Sequence, residues 1–203
     1  VNQLIASPLY TTMDLSNRLI LASGSPRRIE LLHYITRDFI AIKSGVQEEG
    51  VDDPCDPRDR VVILAKRKAE AVAAQGYRGI IIGADTMVLI DSKTFGKPTT
   101  RSEAHHMLTR LSNREHIVIT GLYLFATETG KERQAVVGTT VTFRKLSPAE
   151  IEFYLDEEEY RGKAGAYSIE GKAALFIERI EGDYYNVLGL PLCQLQLLLN
   201  ELR

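Results

Sequence analysis

Cysteine is scarce: the 203-residue chain has two, Cys55 and Cys193, far apart and outside any CxxC pattern. A disulfide framework and a cysteine-based zinc site are therefore excluded as organising elements. Reduced thiols fit a cytoplasmic protein, which is the expected location. No run of about 18 apolar residues occurs, so no membrane span or membrane partner is expected. A basic excess is missing too: the formal net charge is −2. That excludes a protein that coats nucleic acid by charge alone. A small anionic ligand stays open, because local cationic clusters matter more than the total. There is no Walker A pattern, no GxGxxG fingerprint and no HExxH. The histidines His33, His105, His106 and His116 have no zinc-motif spacing and are expected at the surface or in packing. Val1 to Asn17 lacks the charged start and apolar block of a signal peptide. Residues 1–17 are expected to be an extension ahead of a single domain, 18–203. No repeat, low-complexity tract or linker is evident.

What is present is ordinary globular composition, 44% hydrophobic and 26% charged. Arg18 to Ala22 reads as a buried strand. Ser25-Pro26 is a helix start, with Ser as N-cap and Pro where its missing N–H is harmless. Phe39 to Ile42 is the next expected strand and Glu48 to Pro57 a polar loop. Asp59 to Ala74 is an amphipathic helix. Ile80 to Ala84 is a strand, broken at Asp85-Thr86 and resumed at Met87 to Ile90. Ser102 is expected to cap a helix ending near Leu111. Two long β runs follow, 116–125 and 134–143, joined by a turn near Gly130. Ser147 to Glu150 has the form of a capping box. Ala174 to Ile177 reads as a strand, and the last helix begins at Leu190-Pro191. The pattern is α/β with a long β ribbon.

Three segments carry chemistry. Ser23-Gly24-Ser25-Pro26-Arg27-Arg28 joins a strand to a helix, where unpaired backbone N–H groups favour an anion. Ser23 and Ser25 add hydroxyls, and Arg27 and Arg28 add planar forks suited to phosphate. The plain alternative is a capped helix with two solvated arginines. Asp85 interrupts an apolar run, where a carboxylate is costly unless paired, solvated or metal-bound. It reads as a metal ligand or a general base at a strand end, against the alternative of a loop-capping aspartate. Lys66 and Lys68 on the long helix read most simply as solvated. Lys97, on the Gly96-Lys97-Pro98 turn, is more suggestive.

Taken in order, these segments resemble one family, the Maf-like nucleotide pyrophosphatases. The resemblance runs from about Leu19 to Leu198. It rests on Leu21-Ala22-Ser23-Gly24-Ser25-Pro26-Arg27-Arg28, Lys68-Ala69, Gly83-Ala84-Asp85-Thr86, Gly96-Lys97-Pro98, Lys163-Ala164-Gly165-Ala166-Tyr167 and Asn186 to Pro191. It implies an α/β fold, elongated and two-lobed, with a central twisted mixed sheet, similar to inosine triphosphate pyrophosphatases. It implies hydrolysis of dTTP, UTP or modified pyrimidine nucleotides to the monophosphate and pyrophosphate, and a homodimer. Asp85 matches the family's catalytic aspartate. Ser23, Arg27, Arg28, Lys68 and Lys97 match phosphate-side groups. Arg27, Thr86 and Glu170 fall at specificity positions.

Glu48 matches a second acidic position, with Glu49 as the alternative. Asp85 and Glu48 are expected to hold Mg²⁺ or Mn²⁺, whose hard character suits oxygen ligands. Whether Asp85 acts as base or only as metal ligand stays open. One departure stands out. Glu170 replaces a glutamine that the family links to the base, and an ionised carboxylate accepts hydrogen bonds but cannot donate. A 7-methyl-GTP or modified-purine pyrophosphatase is therefore one alternative. A nucleotide-binding regulator of cell division is another.

Overall fold

The computed structural model describes residues 18–47, 56–91 and 93–202. Glu48, Glu49, Cys55 and the extension 1–17 lie outside the described residues.

The chain starts with β1 (Leu19–Leu21), α1 (Pro26–Leu32), β2 (Phe39–Ala41), α2 (Pro57–Ala74) and β3 (Ile80–Ile90). Then come β4 (Lys93–Phe95), α3 (Arg101–Leu111), β5 (Glu115–Ala126) and β6 (Lys131–Phe143). The last third holds α4 (Pro148–Asp156), β7 (Ile177–Glu181), α5 (Tyr184–Val187) and α6 (Leu192–Leu202). One seven-stranded sheet runs β2-β1-β3-β5-β6-β7, with β4 also paired to β3. β1 pairs parallel with β2 and β3, while the other pairings are antiparallel. This is the mixed sheet of the expected α/β class.

The expected caps are present, with one displaced. The Ser25 side chain accepts from Arg28 N–H, with Pro26 at the first helical position. Ser147 and Glu150 form the reciprocal capping box. α2 starts two residues ahead of the expected Asp59, because Asp56 caps it and Pro57 fits the first turn. α3 is capped by Thr100, not Ser102: Thr100 accepts from Glu103 N–H, and Thr99 donates to the Glu103 carboxylate through both its N–H and its hydroxyl. Residues 172–176 form a short 3₁₀ turn rather than a strand, and the strand follows at 177–181.

β3 also corrects the sequence reading. It passes through Asp85 and Thr86 without a break, and β5 pairs with it from Ile80 to Leu89. Asp85 is a mid-strand residue. The other edge of β3 is used unevenly. β1 pairs with residues 80–82 and β4 with residues 88–90. Between them that edge has no strand neighbour among the described residues. This gap in the sheet edge is where the cleft forms.

Strand alternation sorts the core. Leu19, Leu21, Ile80, Ile82 and Ala84 pack with Leu31 of α1 and with Leu195 and Leu199 of α6. Ile20 and Ile81 face the other way, onto Ala65, Ala69 and Val72 of α2. Val88, Ile90 and Val118 enter a third cluster with α3 and α4, around Leu108, Phe143 and Tyr154. Each fully buried aliphatic side chain here contributes roughly 1.5–3 kcal/mol. Thr86 has the parity of Ala84 and Val88, so it lies between two of these clusters. Asp85 has the opposite parity and faces α2.

Candidate active site

Lys66 and Lys68 show how helix geometry divides the lysines. Two residues are about 200° apart around an α-helix. Lys66 lies at the surface, 3.2 Å from Glu132. Lys68 turns inward, with its ammonium 2.6 Å from Asp85 Oδ1 and both side chains almost fully buried. Burial of either charge is costly, and the pairing offsets part of that cost for both.

Arg28 does something the sequence did not indicate. Its Nε donates to the Gly189 carbonyl at 2.8 Å, Nη1 to the Ala84 carbonyl at 2.9 Å and Nη2 to Thr86 Oγ1 at 3.0 Å. Ala84 lies on the open stretch of the β3 edge, where no neighbouring strand serves its carbonyl, and the guanidinium supplies that donor. Arg28 therefore ties α1, the bare edge of β3 and the loop before α6 into one wall.

The contacts of Thr86 have a direction. Thr120 Oγ1 lies 3.3 Å from the Asn186 carbonyl, which can only accept, so Thr120 donates there. A hydroxyl has one hydrogen. The 3.0 Å Thr86–Thr120 contact must then be donated by Thr86. With its hydrogen given to Thr120 and one lone pair engaged by Arg28, Thr86 presents only an acceptor to anything entering the cleft. The sequence reading missed Thr120 and Asn186 as members of this chain. Their signal was polar character at core positions: both are 0% exposed.

Two cavities meet at this point. The smaller, about 130 Å³, has Val88, Val118, Tyr167, Ile169 and Leu188 as its apolar lining, with Asp85 and Thr86 among its polar groups. The larger, about 870 Å³, is lined by Ser23, Gly24, Lys68 and further cations. Arg27, Arg28, Lys97 and Lys163 line both. Asp85 opens to the smaller cavity and Lys68 to the larger, so the buried ion pair straddles their junction. Ser23 is buried and its Oγ accepts from Ser25 N–H at 3.2 Å. The Lys97 turn is pinned by the Gly165 N–H, which donates to the Gly96 carbonyl at 3.0 Å.

Arg27 reaches Glu30 at 2.8 Å and pairs with Glu170 through its other nitrogen. The unusual Glu170 thus has a cation as its partner. Among the described residues no group of three or more His, Cys, Asp or Glu side chains could hold a metal. Asp85 is the one expected metal ligand that the described residues include. No described helix is long and apolar enough to cross a membrane.

Tyr167 forms part of the smaller cavity's wall, and its hydroxyl lies 2.8 Å from His116 Nε2. Burial depresses the His116 pKa to about 4, and burial raises that of Tyr167. Both are neutral near pH 7. The unfolded histidine titrates near 6.5, so between pH 6.5 and 4 the unfolded chain binds a proton that the folded one refuses. Stability therefore falls as the pH drops through that window, by roughly 3 kcal/mol for this group at its lower end. Urea denaturation at pH 7 and pH 4.5 should show the loss, and His116→Gln should flatten it. An unchanged pH slope in that variant would assign the loss to other groups.

This chain belongs to the Maf-like protein family, whose model matches residues 18–202. A dTTP/UTP pyrophosphatase of Dictyoglomus thermophilum is 44% identical over 93% of this chain and 97% of that protein. One from Bacillus velezensis is 44% identical over 92% and 97%, and one from Latilactobacillus sakei is 47% identical over 85% and 93%. Among solved structures, a nucleoside-triphosphatase / dITP/XTP pyrophosphatase of Mycobacterium abscessus aligns over 62% of this chain and 72% of that one, with 13% identity and a TM-score of 0.41.

Proposed function

We propose that the protein hydrolyses a nucleoside triphosphate to the monophosphate and pyrophosphate, with uracil and thymine nucleotides preferred. The observation that carries this reading is the buried Lys68–Asp85 pair at the junction of a smaller cavity with one apolar wall and a larger cationic one. A base suits the first and a phosphate tail the second. The bond between the α- and β-phosphates then falls near Asp85. The relatives named as dTTP/UTP pyrophosphatases support the same assignment.

The roles follow from the groups. The cleft cations offset the charge of the phosphates and of the leaving pyrophosphate. Lys68 and Lys97 act as point charges, while Arg27 and Ser23 offer hydrogen bonds. Arg28 holds the wall in shape through its carbonyl contacts. Water attacks the α-phosphorus, and Asp85 orients that water or takes its proton. Hard carboxylate oxygens such as those of Asp85, with Glu48, fit Mg²⁺ or Mn²⁺, which bind through one or two carboxylates plus phosphates. Such an ion would supply further charge neutralisation when bound. A homodimer, implied by the family resemblance, and a cytoplasmic location, expected from the two scattered cysteines, are part of the reading.

Base choice rests on Thr86. As an acceptor it can take the N3–H of uracil or thymine, whereas the unprotonated N3 of cytosine offers it no hydrogen. The test is a panel of canonical and modified triphosphates, with and without Mg²⁺ or Mn²⁺, with pyrophosphate and orthophosphate measured separately. Pyrophosphate release with UTP or dTTP ahead of CTP is the expected result. Orthophosphate alone would place cleavage at the terminal bond and overturn the reading. Glu170→Gln removes the charge that pairs with Arg27, and should shift the UTP:CTP rate ratio several-fold with little change in melting temperature. An unaltered ratio would remove Glu170 from base selection.

A further inference from the structure

The cations around the larger cavity are not equivalent. Arg27 has Glu30 and Glu170, Lys68 has Asp85, and Arg161 has Glu158 at 2.6 Å. Lys43 and Lys163 are different. Neither ammonium has a hydrogen-bond or carboxylate partner among the described residues, and both line this cavity.

Both are nonetheless held in place. The stem of Lys43 lies across Gly24: a Cβ built on that glycine would sit 3.3 Å from Lys43 Cγ. The lysine therefore follows the backbone of the Ser23–Ser25 loop. Lys163 is half-buried. Its N–H donates to the Tyr160 carbonyl and its own carbonyl accepts from Ala166 N–H, both at 3.1 Å. The turn it begins contains two left-handed residues, Gly165 at φ 70 and Ala166 at φ 64, and lies close on Val88. Two unpaired ammonium groups in a cleft already rich in cations repel their neighbours until an anion enters.

We propose that Lys43 and Lys163 are two further phosphate ligands of this cleft, reaching the triphosphate tail from different parts of the chain. Lys163 lines both cavities and so serves the junction, next to the α- and β-phosphates. Lys43 lines only the larger cavity and serves the terminal phosphate. This rests on the triphosphate reading above and adds a distinction to it. Lys43 discriminates triphosphate from diphosphate, while Lys163 holds every substrate.

The test compares wild type, Lys43→Gln, Lys43→Arg and Lys163→Gln with Mg²⁺ present. Inorganic pyrophosphate binding is read by calorimetry, KM is read for one nucleoside triphosphate, and its di- and monophosphate are read as competitive inhibitors. Lys43→Gln should weaken pyrophosphate and raise the triphosphate KM about tenfold, as expected for one charge-assisted contact. Inhibition by the di- and monophosphate should stay within about twofold, and Lys43→Arg should restore the loss. Lys163→Gln should weaken all four ligands. Equal losses for monophosphate and pyrophosphate in Lys43→Gln, or none, would overturn the division. Absence of pyrophosphate binding by the wild type would overturn the proposal outright. Failure of the parent reading looks different: pyrophosphate binds, but incubation with triphosphates releases none.

Discussion

Asp85→Asn should lower kcat by about 10³-fold, the scale of losing a positioned acid–base group. Stability should suffer as well, which sequence alone gave no reason to expect. The Asp85 carboxylate is 2.6 Å from the Lys68 ammonium and both are buried. An asparagine oxygen still accepts from Lys68 but no longer balances its charge. Removing one charge of a buried ion pair costs about 3 kcal/mol, or roughly 10 °C in melting temperature at this size. Turnover and thermal unfolding on the same sample give both numbers. The two effects separate in the double variant Asp85→Leu/Lys68→Met. Replacing a buried pair by apolar groups of similar volume is often neutral or stabilising. The double variant should regain most of the lost melting temperature and none of the activity. Near-normal kcat in Asp85→Asn would end the assignment of Asp85 as the catalytic carboxylate.

Much of the scaffold is legible in the sequence because it is locally encoded. Ser25-Pro26 and Ser147-Pro148-Ala149-Glu150 are caps whose partners lie within three residues. The β-rich runs of β5 and β6 are bounded by a turn at Gly130 that is itself local. Thr100 and Ser102 are both good caps by residue type, and the choice between them is made by Thr99, which binds Glu103 from outside the helix. The site was legible as a set of residue types, not as contacts. Lys66 and Lys68 look alike in sequence, and the rotation of α2 against β3 decides which is buried. Arg28 has the same local context as Arg27. Only the meeting of α1, the bare β3 edge and the loop at Gly189 makes it a clamp. The hydroxyl chain from Thr86 to Asn186 spans 100 residues of sequence and has no local signature.

Gly83→Ala should be the most destabilising single-methyl change in the cleft. Gly83 sits inside β3, two residues before Asp85. The reason for a glycine here is the approach of α2. A Cβ at Gly83 would lie 1.9 Å from the Ala65 carbonyl oxygen and 2.8 Å from its carbon. Gly121 of β5, the register partner of Asp85, lies similarly close under Val61 at 2.5 Å. These two glycines let α2 lie directly on the sheet. The obstacle at Gly83 is main chain, so the helix as a whole must lift, at a cost of at least about 3 kcal/mol. Lys68 is one turn beyond Ala65, so lifting α2 also draws its ammonium away from Asp85. The folded fraction of Gly83→Ala should therefore lose activity as well as stability. Gly138→Ala is the matched control on β6: the nearest atom to its Cβ would be 3.8 Å away, and its melting temperature should barely move. Because the clash is with a backbone oxygen, trimming a neighbouring side chain should not relieve it. Rescue of Gly83→Ala by Ala69→Gly, whose Cβ lies 3.3 Å from the new methyl, would shift the cause from helix approach to side-chain packing.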